Sequence, residues 1–140
     1  MRLVLDTNVI VAGLRGPSGA SAELLRRLRL GNGTLILSVP LLLEYEEVST
    51  RPEHLDAFGL SADEVGIVLD VLVAIAEPIE IKFLWRPQLR DATDEMVLET
   101  AINGKADAIV TFNARDFKDV PPRFGIALLA PKRALEVMKT

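Results

Sequence analysis

The sequence predicts a three-layer α/β/α fold around a mainly parallel five-stranded sheet. Short apolar runs rich in Val, Ile and Leu recur along the chain and read as strands. Amphipathic stretches with recognisable caps lie between them. Strand and helix alternate almost throughout, the pattern of parallel strands joined by helical crossovers.

Leu3-Val4-Leu5 is continuous rather than alternating, as in a strand buried on both faces, and it stops at Asp6-Thr7-Asn8. Val9 to Leu14 reads as a short helix, and Gly13, Gly16, Pro17 and Gly19 as the loop that follows. Ser21 to Leu30 is helical, with Leu24, Leu25 and Leu28 on one face, and Gly31-Asn32-Gly33 stops it. Thr34 to Leu37 is the second strand. Ser38 caps the next helix, with Pro40 in its first turn and Leu41 to Thr50 following, until Arg51-Pro52 breaks it. Glu53 to Phe58 makes a short helix before Gly59. Ser61-Ala62-Asp63-Glu64 is a capping box ahead of Val65 to Ile75. Pro78 to Phe83 suits a third strand, and the stretch from Trp85 to Thr93 is irregular. Asp94 to Asn103 is a helix ended by Gly104. Asp107 to Phe112 is the fourth strand, Arg115-Asp116-Phe117 a turn, Phe124 to Leu129 the fifth strand and Pro131 to Met138 a final helix.

Composition narrows the function. A chain of 140 residues, 49% hydrophobic, has the size and apolar content of one domain spanning 1–140. The net charge of −4 is the reverse of a general nucleic-acid-coating protein, so any such contact is local or mediated by a metal. With no cysteine there is no disulfide, zinc-thiolate site or thiol nucleophile, and the single His54 excludes a His-rich metal centre. No apolar stretch approaches the roughly 18–20 residues of a membrane span, and Asp6 interrupts any secretory leader, so the expected compartment is the cytoplasm.

Ligands of open parallel sheets gather beyond the carboxyl ends of the strands. Asp6 ends the first strand, and Asn113 and Asp116 lie just past the fourth. On a helical wheel, Leu41, Tyr45 and Val48 form the apolar face of their helix; Glu44 lies at its edge, while Glu46 and Glu47 face solvent. Asp91 and Asp94 are one turn apart, Asp91 also being a candidate N-cap. If Asp6, Glu44 and Asp94 converge, each close pair of bare carboxylates repels by about 4 kcal/mol at 4 Å and an effective ε near 20. A cation relieves this, and oxygen ligands without Cys or His favour Mg²⁺ or Mn²⁺, the ions of phosphoryl-transfer chemistry.

Four segments resemble PIN domains, in order along the chain: Leu3-Val4-Leu5-Asp6-Thr7-Asn8-Val9, Leu42-Leu43-Glu44-Tyr45-Glu46, Arg90 to Leu98 and Ala106 to Phe117. The closing Pro131-Lys132-Arg133-Ala134-Leu135 resembles the start of the family's last helix. The variety most similar is the VapC-like toxin of toxin–antitoxin systems. The resemblance implies a metal-dependent endoribonuclease with an RNA substrate, an antitoxin protein as partner and a homodimer, which the apolar excess also favours. It assigns Asp6, Glu44 and Asp94 to Mg²⁺ or Mn²⁺ as the catalytic set. Asp91, Asn113 and Asp116 are further candidate ligands; Thr7 and Asn8 would orient Asp6 or touch substrate, and Thr111 would hydrogen-bond within the site. Many members carry Asp where this chain has Asn113, so the site has one charge fewer unless Asp116 substitutes.

Plainer readings stand beside these. Asp6, Asp91 and Asp94 could act only as helix-start acids, Asn113 and Asp116 as turn formers, and Thr7 and Asn8 as local hydrogen-bonding residues. Arg26, Arg27 and Arg29 read as a solvated face, as do Glu46, Glu47 and Glu95, while Arg15, Arg115 and Lys118 are the better candidates for phosphate contacts. His54 reads as a surface residue and Trp85 as packing. A phosphoaspartyl receiver lacks its acidic pair before Asp6, and a haloacid-dehalogenase-like phosphatase would need Asp where Asn8 stands; both leave Glu44 idle. The remaining alternative is a catalytically degenerate PIN fold that binds RNA or a protein partner without cutting.

Overall fold

Five strands form one all-parallel sheet in the order β3-β2-β1-β4-β5. The computed structural model describes residues 1–84 and 88–138, so Trp85 lies outside the described residues. The strands are β1 (Arg2–Leu5), β2 (Thr34–Leu37), β3 (Glu77–Pro78), β4 (Ala108–Val110) and β5 (Ala127–Leu129). Among the described residues, eight helices connect or flank them: α1 (Thr7–Arg15), α2 (Ala20–Arg29), α3 (Val39–Ser49), α4 (Pro52–Phe58), α5 (Ala62–Ile75), α6 (Ala92–Asn103), α7 (Val120–Arg123) and α8 (Pro131–Val137). A 3-10 turn, Ala114–Phe117, follows β4.

β1 is central because it can be buried on both faces. Leu3, Val4 and Leu5 point to alternate sides and all are buried, as are Ala108, Ile109 and Val110 of β4. The helix α6 packs across β1, β2 and β4, α5 against β2, and α8 against β5. One hydrophobic core joins these strands to Val9, Ile10, Leu24, Leu41, Tyr45, Val97, Leu98 and Phe117.

Local chemistry sets most boundaries. Ser38 caps α3 by accepting from the Leu41 N–H at 3.3 Å, with Pro40 in the first turn. Ser61 and Glu64 complete the reciprocal capping box of α5. Gly59 ends α4 in the left-handed conformation. Gly104 ends α6 for another reason: its φ of −87° suits any residue, but a Cβ would collide with Ile36 Cγ2 of β2 and stand 2.9 Å from the Thr100 carbonyl.

Several expectations change. The fourth strand, expected from Asp107 to Phe112, runs only over Ala108–Val110, and Gly13, expected in a loop, lies within α1. The third strand pairs only over Glu77–Pro78, and Ile79 adds one further bond to the Leu37 carbonyl at 2.9 Å. The fifth strand begins at Ala127 rather than Phe124, because Val120–Arg123 forms the short helix α7, whose prolines sit in its first turn where no amide partner is lost. Glu95, read as solvated, is 4% exposed. One of its oxygens accepts from the backbone N–H groups of Gln88 and Leu89, which fold back over the start of α6.

Candidate active site

The strand order reverses direction between β1 and β4: successive connections run outward to one side through β2 and β3, then to the other through β4 and β5. This is the switch point at which parallel sheets open a crevice beyond their carboxyl ends. Asp6 and Thr111 sit there, because Leu5 pairs with Val110 and the next backbone bond runs from the Asp6 N–H to the Val110 carbonyl at 2.9 Å.

Asp6 is buried, 5% exposed, directly after the end of β1. The Thr111 hydroxyl donates to its Oδ2 at 2.7 Å and accepts from the Asn113 N–H at 2.9 Å, which commits the hydroxyl proton to the carboxylate. The Asn8 side-chain oxygen faces the Phe112 N–H at 3.5 Å, tying the start of α1 to the loop after β4. Thr7 supports Asp6 through its backbone N–H, while its buried hydroxyl has no hydrogen-bond partner among the described residues.

Asp94 reaches the same crevice from α6. Asp91 caps that helix, its Oδ1 accepting from the Thr93 N–H at 2.7 Å and the Asp94 N–H at 3.3 Å, so the capping role foreseen for Asp91 is filled. Glu44 is half-buried on α3 and accepts from the Thr93 hydroxyl at 3.3 Å. A second tether joins the same two helices, since the Ser38 and Thr100 hydroxyls bond at 2.7 Å. The two bonds fix α3 against α6 and bring Glu44 beside the residue preceding Asp94. Beneath them, the buried Tyr45 hydroxyl donates to the Leu5 carbonyl, locking α3 to the end of β1.

Asp116 approaches from the 3-10 turn, where its N–H bonds the Asn113 carbonyl at 3.0 Å. Arg115 and Asp116 are exposed, and with Arg90, Asp91, Asp94 and Lys118 they line a cleft of about 450 Å³. Asp6, Glu44 and the exposed Asn113 are not part of the cleft lining; of the expected catalytic set only Asp94 lines it. Arg15 stands at the far end of α1, about 12 Å along the helix axis from Thr7 at 1.5 Å per residue, and also lies outside the lining.

The acids sense one another. Burial pushes Asp6 above the usual aspartate range, the Thr111 hydrogen bond partly offsets this, and the charges of Asp116 and Asp91 add to it. Burial and the charges of Asp6, Asp91 and Asp116 raise Asp94 to about 7. Tyr45 is raised well above its ordinary value by burial and by Asp6. Four aspartates therefore share one electrostatic site. Among the described residues, no three Asp, Glu or His side chains are grouped closely enough to hold an ion between them, so the six expected ligands do not form a ready-made cage. Their chemistry nonetheless fits a hard divalent cation: all are oxygen donors, and their mutual repulsion is what such an ion relieves.

Sequence reasoning did not single out Thr93 or Arg90. Thr93 follows a cap residue and is visible in sequence only as a small polar position; its partner Glu44 lies 49 residues away. His54 stacks on Phe58 with ring centroids 5.9 Å apart, away from this cleft. Arg26 and Arg27 pair with Glu23 on α2, as expected of a solvated face.

Comparison with known proteins gives one family. The PIN domain profile matches residues 2–115, which includes β1 through β4 and every segment of the resemblance before Asp116. The final helix and β5 lie beyond the matched segment, although β5 continues the same sheet. No curated protein matches the chain. With a profile covering most of its length, and an all-parallel sheet whose switch point gathers Asp6, Asp94 and Thr111, the chain belongs to the PIN domain family.

Proposed function

We propose that this protein is a metal-dependent endoribonuclease whose catalytic set is Asp6, Glu44 and Asp94. PIN domains are commonly nucleases and usually use divalent metals, which supports the coarse reading directly. The observation that supports the finer one is the placement of Asp91, Asp94 and Asp116 around one cleft close enough to Asp6 for the charges to push Asp6 and Asp94 upward, with Glu44 tied to the residue before Asp94. A cluster of this kind is costly to keep without a cation.

Asp6 and Asp94 would hold Mg²⁺ or Mn²⁺, with Glu44, Asp91, Asn113 and Asp116 as the further oxygen donors of the set. Bound there, the ion supplies Lewis acidity toward the phosphodiester and an activated water for its hydrolysis. The chain's own residues prepare the site. Thr111 fixes the orientation of Asp6, the Asp91 cap holds the first turn of α6, and the Thr93–Glu44 bond keeps α3 in register with it. Burial of Asp6 limits competition from water for its second oxygen.

The test is cleavage of a fluorescent single-stranded RNA with Mn²⁺, Mg²⁺ or EDTA. Metal-dependent cutting that falls on the order of 100-fold or more in both Asp6→Asn and Asp94→Asn is expected. Equal cutting by the variants contradicts the assignment. Asn113, the neutral residue at a position where many family members have Asp, favours the second reading of a binding module that does not cut; absence of cleavage in every metal would select it.

The toxin role, the antitoxin partner, a cytoplasmic setting and a homodimer belong to the same proposal. What supports them is the VapC-like resemblance; among the described residues no helix is long and apolar enough to cross a membrane. Val39 and Leu43 on α3 and Ile67, Val71 and Val73 on α5 are exposed apolar residues on two helices that pack together, which supports an interface. Sedimentation at about twice the 15.3 kDa chain mass is the expected result, and a monomer at micromolar concentration contradicts the dimer.

A further inference from the structure

The active-site cleft carries cations as well as acids. Arg90, Arg115 and Lys118 line it together with Asp91, Asp94 and Asp116. Opposite charges sharing one concave surface ordinarily settle into ion pairs. Here, among the described residues, none of the three cations pairs with a carboxylate.

The chain also holds two of these cations in place at a cost. Arg115, Asp116 and Lys118 belong to one tight turn, closed by the Lys118 N–H donating to the Arg115 carbonyl at 3.1 Å. Phe117, fully buried, pins the middle of the turn to the core, so its neighbours stay at the cleft. Lys118 has φ 54° and ψ −135°, a conformation that favours glycine. A lysine retained at such a position points to use of its side chain, the direction in which a backbone outlier can be read.

We propose that Arg90, Arg115 and Lys118 form a subsite for the phosphates of a single-stranded polynucleotide flanking the bond to be cut. The proposal rests on the nuclease reading of the neighbouring aspartates and deepens it. Unpaired guanidinium and ammonium groups are the donors that phosphate oxygens accept from. Single strands are held by basic grooves that track the phosphates, and these three cations line one open cleft. In a chain of net charge −4 the cleft lining balances three cations against three aspartates, so phosphates meet local donors there rather than a field of one sign.

The experiment is binding of a fluorescently labelled twelve-nucleotide RNA, and of the matching DNA, in EDTA across a range of KCl concentrations. For three phosphate contacts the slope of log K against log salt is about −2, at roughly −0.7 per contact on a single strand. Arg115→Ala/Lys118→Ala is expected to weaken binding about 10-fold and to flatten the slope by about 1.4, with Arg90→Ala flattening it by about 0.7. Arg29→Ala, an exposed cation on α2, is the control and leaves both unchanged. Lys118→Gly is expected to raise Tm while weakening binding, which separates loss of the lysine from loss of the fold.

Unchanged affinity and slope in the double variant, no binding of either strand by wild type, or a Lys118→Gly protein that gains stability and keeps full binding would each overturn the subsite. Tighter binding of RNA than DNA assigns a contact to the 2′-hydroxyl, and equal binding assigns recognition to the phosphates alone; both agree with the subsite. Parallel cleavage assays in Mn²⁺ keep the two proposals apart. Binding that responds to these variants without any cutting removes the nuclease and leaves the subsite. Cutting with KM unchanged in the double variant removes the subsite and leaves the nuclease.

Discussion

Asp94 is harder to ionise in the folded protein than in the unfolded chain. Its value rises from 3.8 to about 7, through burial first and then through Asp6, Asp91 and Asp116. A raised carboxyl value means the native state holds its proton more tightly, so Asp94's contribution to stability is complete below about pH 3.8 and is lost as pH rises through 7. Asp94→Asn should therefore flatten the pH dependence of Tm in EDTA between pH 4 and pH 8; a wild-type profile in the variant would contradict the clustering of acids. Tyr45 tests a different contact. Tyr45→Phe leaves the Leu5 carbonyl without this donor beneath Asp6, and about 1–2 kcal/mol of stability should be lost in urea unfolding. At this scale the sequence was partly legible. Asp6 is marked by ending an apolar run, and Asp91 by standing where a cap belongs. Thr93 carries no such mark, because what it does depends on which distant side chain the fold places opposite it, and Arg90 is known as a cleft residue only once the fold brings it beside Asp94 and Arg115.

The helix α6 is braced from outside itself. Glu95 reaches back to the N–H groups of Gln88 and Leu89, closing the segment that delivers Asp91 and Asp94. Glu95→Ala should destabilise the protein by about 2–3 kcal/mol, as buried amides lose a charged acceptor, and hydrogen exchange at residues 88–94 should rise. Unchanged exchange there would show that the brace is not needed. At the other end of α6, Gly104→Ala should cost about 1–3 kcal/mol, since Ile36 must move to admit a methyl group. Elements with self-contained signals are legible in sequence: the Ser38 cap, the Ser61 capping box and the stop at Gly59 all fall where local chemistry places them. The burial of Glu95 is a tertiary event, and periodicity assigns a glutamate beside Asp94 to solvent. The short β3 is similar, since strand length depends on how long a neighbour stays in reach and not on the apolar run itself.

For the whole molecule, alternation of strands and helices was enough to give the layers, and right-handed crossovers leave few ways to join parallel strands. The sheet is wholly parallel where the sequence suggested mainly parallel. Its strand order, which sequence alone does not supply, is what makes β1 and β4 neighbours and turns Asp6 and Thr111 into one site. The central claim is that the aspartates at this switch point are arranged for a divalent cation. The direct measurement is Tm at pH 7.5 for wild type and Asp94→Asn, each in EDTA and in excess Mn²⁺. The account predicts that the order crosses: the variant melts higher in EDTA, where repulsion is relieved, and wild type gains more from Mn²⁺, because only it keeps the full set of donors. The same order in both conditions, with equal gains from Mn²⁺, would contradict it.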